Sequence, residues 1–219
     1  MNDLSVKYKG DLVSRFFRTS DESWGAFANF SLPIPWWSRR YEYPWAATFA
    51  ESNHSVLDAA CGISHPFKFW LADKCLEAFA CDLDPRINDD AAIQQDVKAD
   101  FGIAMDLRGP LAKLKRREAN ITELMYADKS FDRVFCISVL EHMTREDMLK
   151  ALKEFKRVLK PDGLIILTFD VPTISTAMFV NIVQASGLWF AGEFDPQRFK
   201  DIVSTNMYGG LSCFRAVLK

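Results

Sequence analysis

The chain has 219 residues, 49% of them hydrophobic and 26% charged, an ordinary composition for one globular domain with a substantial core. Lys plus Arg (27) nearly balances Asp plus Glu (29), so no overall basic excess points to a nucleic-acid backbone. No run of 18 or more apolar residues occurs, and Met1–Phe17 carries no charged-then-apolar leader, which sets the expectation of a cytoplasmic protein without a membrane span. The five cysteines, Cys61, Cys75, Cys81, Cys136 and Cys213, form no CxxC pair and read as buried free thiols in a reducing compartment. His54, His65 and His142 do not pair at zinc spacings, and no metal is expected.

In chain order, residues 1–52 form a first segment, rich in aromatics and interrupted by Pro33, Pro35 and Pro44. They are expected to give helices over Asp3–Phe17 and Asp21–Asn29, an irregular aromatic stretch, and a helix near Trp45–Glu51. From residue 53 to 219, short apolar runs alternate with amphipathic stretches. Strands are expected at Ser55–Ala59, Leu76–Asp82, Arg133–Ile137, Leu164–Phe169 and Ser212–Leu218, with helices at Phe67–Cys75, Arg145–Leu159 and Thr176–Ala185. Pro161-Asp162-Gly163 reads as a turn in which Gly163 accepts a positive φ. The interval from Asp84 to Asn120 is too long for one helix and one strand, and an added helix or flap is expected over Ala104–Lys115. Alternating strands and helices argue for a mostly parallel sheet covered on both faces, with ligands bound where strand order reverses.

Four segments, VLDAACGIS (56–64), ACDLDP (80–85), ANITELMYADKSFDRVFCISVLEHM (119–143) and EFKRVLKPDGLIILTFD (154–170), resemble the class I S-adenosylmethionine-dependent methyltransferase superfamily in order and spacing. The resemblance is to its small-molecule, methyltransferase type 11-like branch. It implies a Rossmann-like α/β fold: a mostly parallel seven-stranded sheet with helices on both faces, preceded by an N-terminal helical and aromatic lid. It also implies S-adenosylmethionine as methyl donor, with S-adenosylhomocysteine as product and no metal. Contacts to the donor are implied at Asp58, Ala60, Gly62 and Ile63 in the first turn, and at Asp82 and Leu83 after the second strand. Asn120 and Ile121 stand at the adenine position, and Cys136, Arg40 and Tyr43 complete the set. Ala60 and Ser64 depart from the usual glycines, and Asn120 from the usual acid. A dinucleotide-binding alternative requires G-x-G-x-x-G after the first strand, which AACGISHP lacks.

His142 and Glu141, at the rim after the fourth strand, are the candidate catalytic residues. His142 is read either as a base or as structural, and Glu141 as a ligand contact or a helix cap. Within Ser31–Trp45, aromatic faces can stabilise a cation by about 0.5–2 kcal/mol each, and Arg39 or Arg40 can pair with the methionine carboxylate. The same segment read structurally is a hydrophobic lid with solvated arginines. The expected partner is a small-molecule methyl acceptor, taken up by a monomer or homodimer. An RNA or protein acceptor, or a non-catalytic protein of this fold, are the alternatives.

Overall fold

The computed structural model describes residues 10–219. The expected helix Asp3–Phe17 lies partly outside these, and within them the chain is extended as strand β1 (Ser14–Phe16). Leu12, Ser14 and Phe16 are buried in alternation, a period of two that suits a strand. Phe16 packs edge-on against Phe214, with ring centroids 5.0 Å apart. The expected helix Asp21–Asn29 is instead a small hairpin, β2 (Ala26–Phe27) and β3 (Phe30–Ser31). Ala28 (φ 49°) and Asn29 (φ 69°) form its turn, the left-handed pair that a tight two-residue hairpin requires. Helix α1 runs over Arg39–Ala47 rather than Trp45–Glu51. Pro44 lies inside it and cannot donate to the carbonyl of Arg40; the backbone N–H of Trp24 donates to that oxygen instead, at 2.8 Å.

The remaining elements follow the expected alternation. They are β4 (Ser55–Ala59), α2 (Phe67–Lys74), β5 (Glu77–Asp82), α3 (Asp90–Phe101), α4 (Arg108–Lys113), β6 (Leu114–Glu118), β7 (Phe131–Ile137), α5 (Arg145–Val158), β8 (Leu159–Val171), α6 (Thr176–Ser186), β9 (Phe194–Asp195), β10 (Ser204–Thr205) and β11 (Leu211–Leu218). The long interval after Asp84 is thus two helices and a strand. The strand sequence LKRRE carries one apolar residue, and it lies at the sheet's end, where charge discourages further pairing.

Among the described residues the sheet has nine strands rather than seven, in the order β6-β5-β4-β7-β8-β11-β1-β9, with β10 paired to β11. The first five are parallel; β11 runs antiparallel to β8, and β1 antiparallel to β11. Side chains alternate between two cores. Val56, Phe135 and Ile166 face α1 and α2, whereas Leu57, Val134, Cys136 and Leu167 face α5 and α6. β8 passes straight through Pro161–Gly163, and Gly163 is not among the residues with positive φ. Glycine is needed there for space, because a Cβ would lie 2.6 Å from Leu159 Cδ1 and 3.0 Å from the Asp132 carbonyl. Strand order reverses at β4, between β5 and β7, so a crevice opens at the carboxyl ends of β4 and β7.

Candidate functional site

After β4 the backbone turns sharply, with Ala60 at φ 55° and Gly62 at φ 63°; after β7, Ser138 turns at φ 49°. Non-glycine residues adopt this region at a cost, and two such residues at facing strand ends mark a constrained site. A Cβ on Gly62 would lie 2.4 Å from the His65 ring. Gly62→Ala is therefore expected to lower stability by roughly 1 kcal/mol or more and to displace His65, detectable as a lower melting temperature and shifted imidazole resonances.

The turn is held from both sides. The Gly62 N–H donates to Asp82 Oδ2 at 2.8 Å, and the Asp84 N–H donates to Asp82 Oδ1 at 3.0 Å. Beneath it, the fully buried Lys68 donates from Nζ to the carbonyls of Gly62 (2.6 Å) and His65 (2.7 Å). A cavity of about 280 Å³ lies over this cradle, lined by Asp58, Ala60, Gly62, Asp82, Tyr43 and Arg39 among others. Asp58 is 3% exposed and, among the described residues, accepts no side-chain hydrogen bond. Burial pushes its carboxyl up to about 7, against the pull of Lys68.

Helix α1 covers the crevice with one face. Arg39, Glu42 and Tyr43 are spaced three and four apart, so they point the same way. Glu42 is fully buried: Oε2 pairs with Arg39 Nη1 at 2.5 Å, while Oε1 accepts from Ser138 Oγ (2.6 Å), Thr168 Oγ1 (2.5 Å) and Cys213 Sγ (3.4 Å). Burial raises its carboxyl, but Arg39 and the two hydroxyls outweigh that and hold it below the usual glutamate range. The Tyr43 hydroxyl bonds His65 Nδ1 at 2.7 Å, and the imidazole stacks on Trp36 with centroids 4.0 Å apart and an 11° tilt. Burial, aided by Arg39 and Lys68, drives His65 well below its ordinary value, so it is neutral.

A second cavity of about 360 Å³ adjoins the first and shares Arg39, His65, Ser138 and His142 with it. Glu141 and Asp170 line this second chamber, with Trp36, Trp37 and Tyr208. Burial pushes Glu141 up to about 8, with Asp170 adding to it, and burial pushes Asp170 up to about 6.

Of the residues expected from sequence, Asp58, Ala60, Gly62, Asp82, Tyr43 and His142 line the first cavity. The others do not. Arg40 lines a separate cleft with Trp37 and Met207, because one residue along a helix turns the side chain about a quarter of the way round from Arg39. Ile63 and Ile121 are buried in the cores, and Cys136 faces the α5 layer. Leu83 is exposed. Asn120 is exposed and uses its Oδ1 to accept from the Thr122 N–H at 3.0 Å, which closes its own turn. Sequence reasoning left Ser138, Val139 and Glu42 unmentioned, and left Arg39 undecided against its neighbour. The helical spacing of Arg39, Glu42 and Tyr43 held that information, but it becomes readable only once the start of α1 is known.

The donor implied by the resemblance carries an ammonium, a sulfonium, a carboxylate and a ribose, and the cradle fits each. Asp58 supplies an unengaged carboxylate, Arg39 retains donors beyond the one given to Glu42, and Asp82 keeps acceptor capacity beyond its two backbone bonds. The absence of a Cβ at Gly62 leaves the backbone approachable.

A family model described as a methyltransferase domain matches residues 57–167, just over half of the chain. The chain is 46% identical over 74 residues to the "Probable methyltransferase ltbC" of Aspergillus luteorubrus, covering 33% of this chain and 25% of that protein. It spans 24–43% of the length of the curated relatives it matches. Among solved structures, a TehB-like SAM-dependent methyltransferase from Corynebacterium glutamicum aligns with a TM-score of 0.56 at 16% identity, covering 81% of this chain and 86% of that one. The [4+2]-cyclase SpnF aligns at 0.55 and 16% identity, covering 82% and 64%. These likenesses concern the fold, and a cyclase among them shows that the fold leaves the reaction open. The sequence match runs from β4 to β8, the strands that carry the crevice, and on that ground the chain belongs to the methyltransferase-domain family.

Proposed function

We propose that the chain transfers a methyl group from S-adenosylmethionine to oxygen or nitrogen of a small-molecule acceptor. The observation that carries this reading is the pair of adjoining chambers at the sheet's carboxyl rim, with Arg39, His65, Ser138 and His142 common to both. S-adenosylmethionine, when bound, supplies a methyl group already activated on a cationic sulfur. In the first chamber Asp58 would hold the cationic end, Arg39 the carboxylate, and Asp82 the ribose hydroxyls. In the second, the acceptor is held in line with the first chamber, and such alignment alone can lower a barrier by roughly 7–11 kcal/mol. The rings of Trp36 and Trp37 restrict water. His142 is exposed and borders both chambers, so it is placed to take a proton from an acceptor hydroxyl or amine. The five cysteines are free thiols, four of them buried, in keeping with a reducing cytoplasmic setting, and among the described residues no helix is long and apolar enough to cross a membrane.

Titration calorimetry with S-adenosylhomocysteine tests the reading. The wild type is expected to bind, and Asp82→Ala to bind at least about tenfold more weakly, since a charged acceptor is lost. Absence of heat with the wild-type protein would remove the proposal.

A further inference from the structure

We infer that the second chamber selects an acceptor bearing a protonated amine, seated between the carboxylates of Glu141 and Asp170 and the rings of Trp36, Trp37 and Tyr208. This rests on the methyl-transfer reading and goes beyond it by naming the charge of the acceptor. The chamber is large enough for a small organic molecule, at about 360 Å³, and it opens beside the cradle. Its cation, Arg39, is already matched: the guanidinium pairs with Glu42, whose carboxylate is otherwise engaged by two hydroxyls. His65 is neutral and bound to Tyr43. That leaves two acids in excess. One oxygen of each, Glu141 Oε2 and Asp170 Oδ1, is buried without any hydrogen-bond partner, and neither carboxylate takes part in an ion pair among the described residues.

A buried acceptor oxygen without a donor is a costly arrangement that native proteins keep only for a reason. A donor-only cation entering the chamber supplies the charge and the donors that the two carboxyl groups lack. The upward displacement of both acids, to about 8 and about 6, reflects burial first and neighbouring carboxylates second; it leaves Glu141 mostly protonated near neutral pH in the empty chamber, and an entering cation offsets the repulsion and draws both acids into their ionised form. The aromatic walls serve the same ligand, since ring faces attract ammonium groups. A neutral alcohol offers a single donor and no charge, and a carboxylate offers neither donor nor positive charge. The positive end of the donor does not account for these acids, because Asp58 and Asp82 line its own chamber, while Glu141 and Asp170 line only the second one.

The test uses protein saturated with S-adenosylhomocysteine, whose binding is first confirmed by calorimetry for the wild type and for Glu141→Gln and Asp170→Asn. Benzylamine and its uncharged counterpart benzyl alcohol are then compared as probes by saturation-transfer NMR, which detects millimolar affinities. Benzylamine is expected to bind in preference to benzyl alcohol, and to weaken about tenfold or more in either variant. Both substitutions keep side-chain shape, and retained S-adenosylhomocysteine binding shows that a variant is folded. If S-adenosylhomocysteine itself fails to bind the wild type, the methyl-transfer reading falls. If it binds but the alcohol competes equally, neither probe binds, or both variants hold benzylamine as the wild type does, this inference alone is overturned.

Discussion

Glu42→Ala is expected to destabilise the protein by about 3–5 kcal/mol, the usual result of removing one member of a buried ion pair. In a chain of this size that is a fall of roughly 6–20 °C in melting temperature. The reason is that Glu42 does two jobs from a fully buried position. It neutralises Arg39, and it accepts hydrogen bonds from Ser138 and Thr168 at the ends of β7 and β8. Without it, a half-buried guanidinium and two hydroxyls lose their partner together, and α1 loses its tie to the sheet. Because the loss is one of matching rather than of packing, Arg39→Met in the Glu42→Ala background should cost less than it does alone. Thermal denaturation of the two single variants and the double variant measures this coupling, and simple additivity would show that the pair contributes nothing specific. The pH dependence has a definite sign. Glu42 is lowered in the folded state, so its contribution is present above the ordinary glutamate value and fades as pH falls through the lowered one.

Asp58→Asn should act in opposite directions on stability and on ligand binding. In the ligand-free protein the Asp58 carboxyl is raised to about 7 by burial, with Lys68 opposing and Asp82 reinforcing. A raised acid binds its proton more tightly when folded, so stability declines as pH climbs from the ordinary aspartate range through about 7. The asparagine variant lacks that proton linkage. At pH 8 it is expected to melt higher than the wild type, by up to about 4 kcal/mol in stability, while the two should converge near pH 4. Affinity for S-adenosylhomocysteine should fall roughly 10- to 150-fold, from the ~1.5–3 kcal/mol of a hydrogen bond to a charged group. A variant that melts lower at pH 8, or binds unchanged, would show that Asp58 is structural. This is the trade a binding site makes when it keeps a charge buried for a ligand.

The two-sided sheet was legible in the sequence because its central strands carry their own evidence. Val56–Ala59, Val134–Ile137 within the expected strand Arg133–Ile137, and Leu164–Phe169 are mostly apolar runs that are best satisfied when both faces are covered. Asp58, Gly62 and Asp82 were legible through the resemblance of their segments to the methyltransferase superfamily, and the strand ends read from the sequence place them at the sheet's rim. Segments whose structure depends on a distant partner were not legible. β1 is extended because Arg15 and Phe16 pair with Arg215 and Phe214, two hundred residues along the chain, and β6 is a strand because β5 offers it an edge.

The same distinction separates Arg39 from Arg40. Both belong to one short cationic run, and nothing within it says which will point inward. That choice was made by the phase of α1, and the phase was set by contacts outside the helix. Glu42 finds Ser138 in the turn after β7, Thr168 on β8 and Cys213 on β11, and Trp24 takes the carbonyl that Pro44 leaves free. Local sequence determined where the strands end and hence where the cradle is. Long-range packing decided which side chains close over it, because a helix face is chosen by what it can bury and pair, and those partners are brought together only in the folded chain.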